Sequence, residues 1–134
     1  MRVTPNVSVY DAESDPLAAY LDSLEQLRET AAGEVLPAHE YRFADLDSRL
    51  ADLAEHHAER LAEIAAVLKP DDGQSAWEIA AQVTWSRPWS QISGFPRQAA
   101  LGEVVAHLQH LMADGHATLA DADGVGRWSL AAAL

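Results

Sequence analysis

Hydrophobic residues recur at three- and four-residue steps in two long stretches of the chain. In the first, Leu46, Leu50, Leu53, Leu61, Ile64 and Leu68 follow one another until Pro70 and Gly73 stop the run, which predicts one long helix over residues 45–68. In the second, Leu101, Val104, Val105, Leu108, Leu111 and Met112 form one face of a helix, and Gly115 stands where a C-terminal cap is wanted. A shorter helix begins at Asp15-Pro16, an N-cap followed by a first-turn proline. It carries Leu17, Tyr20, Leu21, Leu24 and Leu27 and stops near Gly33.

Between and around these helices the pattern changes. Residues 4–10 are extended in character, because Pro5 disfavours helix while Val7, Val9 and Tyr10 favour strands. Glu34-Val35-Leu36-Pro37 is a short apolar, strand-like run. Ser75 and Glu78 have the spacing of a capping box, which starts a short helix over residues 76–83. Residues 85–89 and 93–96, rich in proline and aromatics, read as loop. Near the end, residues 116–120 and 126–130 flank Asp121-Ala122-Asp123-Gly124, a hairpin turn. The fold class is therefore mainly α with a small β-ribbon, and three helices followed by a ribbon is the order of a winged helix.

Composition narrows the function. There are 134 residues, enough for one compact core, and 49% are hydrophobic, as in ordinary globular domains. The chain has no cysteine, which excludes disulfides, thiolate metal clusters and a cysteine nucleophile. No stretch is apolar enough for a membrane span and no secretory signal is visible, so the expectation is a cytoplasmic protein. Twenty-one acidic residues against nine basic ones give a net charge of −12, with Lys69 the single lysine. Such a surface repels phosphate backbones, so nucleic acid is not expected as a partner.

Two stretches carry a family resemblance. Asp15-Pro16-Leu17-Ala18-Ala19-Tyr20-Leu21-Asp22-Ser23-Leu24, followed by Val35-Leu36-Pro37-Ala38-His39-Glu40, resembles the end of the catalytic domain in metallo-β-lactamase-fold hydrolases. From Asp45 onward the chain resembles the winged-helix extension of one branch of that family, including an Ala-x-x-Glu-x-x-x-His-Leu-x-x-Leu pattern at Ala100, Glu103, His107, Leu108 and Leu111. The resemblance divides the chain into residues 1–44, the remnant of a truncated catalytic fold with one helix and a short strand, and residues 45–134, a winged-helix-like accessory domain. It implies that His39 is the last metal-binding histidine of a dinuclear zinc or iron site in the intact protein. It also implies an upstream catalytic domain as partner, and a role for residues 45–134 in capping the substrate cleft or in homodimerisation.

The rest of that machinery is not in the chain. No histidine precedes His39, and no His-x-His spacing occurs. One histidine cannot retain a catalytic metal, which typically needs three protein ligands. The expectation is an accessory region of a metal-dependent hydrolase of esters, thioesters, lactones or phosphodiesters, without bound cofactor or activity as an isolated fragment. A standalone protein-interaction module is the alternative, and a winged-helix transcriptional regulator the third reading.

Other candidates have plainer readings. His56 and His57 are adjacent on the long helix, about a hundred degrees apart, and do not form an i,i+4 metal clamp. His57 falls on the apolar stripe as a core or interface residue. His107 and His110 are three apart, with no acidic pattern to complete a site, and are read as structural. Asp45, Asp47, Asp52, Glu55, Glu59 and Glu63 form a solvated helix face rather than an acid–base pair. Trp85 and Trp89 either pack into the core or offer a contact surface.

Overall fold

The computed structural model describes residues 4–9, 11 and 13–132. The first helix, α1, spans Pro16–Arg28. The Asp15 carboxylate accepts a hydrogen bond from the Ala18 N–H at 3.0 Å, and Pro16 fills a first-turn position that needs no donor. One face, with Leu17 and Leu24, is buried.

The strand-like run at residues 34–37 contracts to a single antiparallel bridge, Val35 to Phe43, closed by backbone bonds of 2.7 and 3.1 Å. Pro37 cannot donate to a ladder, which limits pairing here. The long helix α2 spans Leu46–Val67. Asp45 caps it from the left-handed region (φ 63°), accepting from the Ser48 N–H at 3.1 Å. The buried side of α2 holds Leu50, Leu53, His57 and Ile64.

After α2 the chain turns through Gln74, whose backbone exchanges two hydrogen bonds with Trp128. The capping box then starts α3, Ala76–Ala80: Ser75 Oγ accepts from the Glu78 N–H, and Glu78 Oε2 accepts from the Ser75 N–H. This helix is shorter than residues 76–83. A 3₁₀ turn, Trp89–Gln91, lies within the aromatic segment.

The last helix, α4, spans Gly94–Ala113, so residues 94–96 belong to it and not to a loop. Pro96 sits in its first turn, where a missing N–H costs nothing. The expectation of one apolar face is too narrow. Ala106, His107 and Gln109 are buried together with Val104, Leu108 and Leu111, and no residue from 99 to 112 is exposed. Accordingly, α4 packs against α1, α2 and α3 and against the first strand of the ribbon, β1, Ala117–Ala122.

The second strand, β2, spans Val125–Leu130 and pairs antiparallel with β1, from Ala117 opposite Leu130 to Ala122 opposite Val125. The two-residue turn places Asp123 and Gly124 at φ 56° and 78°, the primed geometry that suits a twisted hairpin. The main core joins Ile64, Leu68, Ile79, Val83, Val104, Leu108, Leu111 and Trp128. Two smaller clusters tie α1 to the rest, one of Val7, Leu17 and Ala106, the other of Leu24, Leu50 and Leu53. Residues 4–9 form no strand, and Tyr10 lies outside the described residues. The segment instead lies on α4, where the Asn6 side-chain N–H donates to the Ala99 carbonyl at 3.1 Å. Among the described residues, no helix is long and apolar enough to cross a membrane.

Candidate functional site

His39 lies in the loop that the Val35–Phe43 bridge closes, next to Glu40, which takes a left-handed conformation (φ 71°). Its side chain is exposed and has no hydrogen-bond partner among the described residues. The loop and the facing sides of α1 and α2 enclose an open cavity of about 430 Å³, lined by His39 and by apolar residues that include Tyr20, Leu24, Leu27, Tyr41 and Phe43. The surface beside it is unusually apolar: Leu36 is 77% and Tyr41 91% exposed. His39 thus offers a free imidazole at the edge of an uncovered hydrophobic hollow. Among the described residues, no group of three or more potential metal ligands includes it.

The structure brings together other histidines that the spacing set apart. His57 from α2 and His107 from α4 are both fully buried, with His57 Nδ1 3.1 Å from His107 Nε2. His107 Nδ1 is 2.7 Å from the Glu103 carbonyl oxygen, which can only accept, so Nδ1 carries the proton. Burial, chiefly, lowers the pKa of each ring to about 4, so both are neutral at pH 7. In His107 the hydrogen bond to Glu103 opposes that effect, while His57 and Arg60 add to it. Neutral His107 must then accept at Nε2, and His57 must donate from Nδ1. The remaining nitrogen, His57 Nε2, is a buried lone pair with no hydrogen-bond partner.

Around His57 lie a second histidine and a carboxylate. The His56 and His57 rings meet edge to face, with centroids 5.1 Å apart. Glu103 Oε1 approaches His56 Nε2 to 3.7 Å. One nitrogen from each histidine and one Glu103 oxygen all lie within 4.8 Å of one another. Sequence spacing missed this group because its third member comes from α4. In the sequence Glu103 stands out only within the family pattern, and His107 there and as a structural histidine beside His110.

The remaining candidates have structural partners. His110 Nδ1 donates to Asp15 at 3.0 Å. Glu63 leaves the solvated face: its carboxylate accepts from the Thr84 N–H at 2.6 Å and from Arg60 at 2.9 Å. Burial alone would raise its pKa, but these bonds hold it below the ordinary carboxylate value. Trp85 donates to the Ala80 carbonyl at 2.8 Å and carries the Arg60 guanidinium over its ring at 4.6 Å. Trp89 meets Trp77 edge to face, with Arg97 over both rings. Trp85 and Trp89 are therefore packed against neighbouring parts of the same chain.

No family model matches the chain, and no curated protein does. Solved structures do. The chain is similar to a beta-lactamase domain protein from Burkholderia ambifaria, with 35% identity over 94% of this chain and 37% of that one, and a TM-score of 0.82. It is also similar to a metallo-beta-lactamase family protein from Thermus thermophilus, with 30% identity over 96% of this chain and 38% of that one, and a TM-score of 0.75. The chain thus shares sequence and fold with one portion of metallo-β-lactamase family structures. It spans little more than a third of their length.

Proposed function

We propose that the chain is the C-terminal accessory region of a metal-dependent hydrolase of the metallo-β-lactamase superfamily. The observation that carries this reading is the 35% identity, at a TM-score of 0.82, over nearly all of this chain and 37% of a beta-lactamase domain protein. In this reading residues 1–44 complete a catalytic fold whose larger part lies upstream, and residues 45–134 are a winged-helix accessory domain.

His39 fits a metal ligand in one respect, since its imidazole is exposed and unpartnered among the described residues. Alone it does not hold a metal. Two zinc or iron ions would be bound only with ligands from the upstream domain, and would supply a nucleophile derived from water at neutral pH. The task of this chain is then to present His39 at the domain boundary. The apolar hollow beside it, with Leu36 and Tyr41, is the surface that the catalytic domain covers.

Two features favour capping or dimerisation over DNA readout. The helix that a winged helix would place in the major groove, α4, has no exposed residue between 99 and 112, and the net charge is −12.

The test is to express the reading frame extended upstream, and to measure metal content and hydrolysis of a generic thioester with and without His39→Ala. Stoichiometric metal and turnover, both reduced at least about tenfold by the substitution, are expected, with no turnover from the 134-residue chain alone. An upstream frame lacking a His-x-His-x-Asp-His cluster would overturn the proposal and favour a standalone interaction module.

A further inference from the structure

The unpartnered nitrogen of His57 calls for an occupant. Buried polar atoms in proteins nearly always have a partner, and an orphan commonly marks an ion or water. Here the orphan is a lone pair, so its partner must be a proton donor or a cation. Near the His57 ring lie His56, Glu103, whose side chain is 14% exposed, and the positive charge of Arg60, whose Nε is likewise buried without a hydrogen-bond partner.

We propose that His56, His57 and Glu103 bind a divalent transition-metal cation of the zinc type, through His56 Nε2, His57 Nε2 and a Glu103 carboxylate oxygen, with water completing the shell. Two imidazoles and one carboxylate are a borderline donor set, which suits zinc or its neighbours better than the all-oxygen preferences of calcium and magnesium. Tetrahedral ligands about 2.0 Å from zinc stand roughly 3.3 Å apart. His56 and Glu103 are at 3.7 Å and the three donor atoms all lie within 4.8 Å of one another, so closing the triangle requires His56 and Glu103 to rotate toward the buried His57.

The surroundings are those of a supported ligand. Metal-binding histidines usually donate their second N–H to an acceptor that fixes tautomer and orientation. His57 donates to His107, which is fixed in turn by the Glu103 carbonyl. Glu103 therefore acts twice, its backbone orienting the relay and its side chain offering a ligand. Arg60 is an opposing charge felt by both buried histidines, and its Nη1 is drawn away by Glu63 and the Thr84 carbonyl while the guanidinium lies over the Trp85 ring. Glu59 lines the same small hollow as His56 and adds negative charge. This site is separate from His39 and does not depend on the hydrolase reading.

The experiment is titration of the chelator-stripped 134-residue chain with cobalt(II), followed by its visible spectrum, and with zinc against a chromophoric competitor. One saturable equivalent is expected, with cobalt bands of a low-coordinate nitrogen–oxygen site. His56→Ala and Glu103→Gln, both at the rim of the core, should each weaken zinc binding at least tenfold while leaving the metal-free melting temperature nearly unchanged; His39→Ala should leave binding intact. Absence of a saturable site overturns the proposal. So does zinc binding of equal strength in His56→Ala and Glu103→Gln, which would mean diffuse attraction to the acidic surface.

Discussion

The carboxylate of Asp15 serves two helices at once. It accepts from the Ala18 N–H at 3.0 Å, which caps α1, and from His110 Nδ1 at 3.0 Å, which ties α1 to α4. Asp15→Ala removes both contacts and should cost about 2 kcal/mol in urea unfolding. His110→Ala removes one and should cost about 1 kcal/mol. The double variant should be no worse than Asp15→Ala by more than a few tenths, because the two residues share one interaction.

The buried histidine pair makes the metal-free protein sensitive to mild acid. His57 and His107 have pKa values lowered from 6.5 to about 4, mainly by burial. Below pH 6.5 the unfolded chain takes up protons that the folded chain refuses, so stability must fall as pH drops toward 4, where the folded rings also protonate. A loss of up to roughly 3 kcal/mol for each ring across that window is expected in chelator-treated protein. His57→Gln should lower stability at neutral pH and flatten the profile. A profile as steep as that of the parent would refute the assignment.

Gly102 is where the N-terminal segment crosses α4. A Cβ there would stand 2.7 Å from Ser8 Oγ and 3.1 Å from Ser8 Cβ. Gly102→Ala should therefore displace residues 4–9, at a net cost of about 1 kcal/mol despite its gain in helix propensity. Faster proteolysis near Ser8 is the direct readout. Adding Ser8→Gly should restore the parent's resistance.

Trp128 joins the ribbon to the helices. It is buried in the main core, and its backbone N–H and carbonyl both pair with Gln74. Trp128→Ala leaves the backbone pairing but empties a large volume, for an expected loss of about 3–5 kcal/mol. Near-ultraviolet circular dichroism and chemical unfolding would measure it.

The elements that follow local rules were legible in the sequence. Asp15-Pro16, the Ser75–Glu78 box and the hairpin turn each act through neighbours one to three residues away; the first two appear where the chain predicts them, and the turn expected over residues 121–124 narrows to Asp123-Gly124 because β1 runs on through Ala122. What spacing could not show is how α2 and α4 meet. His57 and His107 are fifty residues apart, and nothing in either helix alone distinguishes two structural histidines from a bonded pair beside a carboxylate. The start of α4 was hidden for another reason: Gly94 and Pro96 signal loop, yet both are tolerated in the first turn. The family resemblance singles out His39, which the structure places in a loop after a short apolar run, and among the described residues no group of three or more potential metal ligands includes it.

The central position of α4 also sets how the molecule opens. A helix touching α1, α2, α3 and β1 cannot lose its backbone bonds without disrupting every neighbour, so its amides should exchange with deuterium only through global unfolding. The loop around His39 is held by two backbone bonds between Val35 and Phe43 and should exchange through local fraying, orders of magnitude faster. Exchange rates along the chain would thus form a gradient, slowest at Val104 and Leu108 and fastest at the rim where His39 stands.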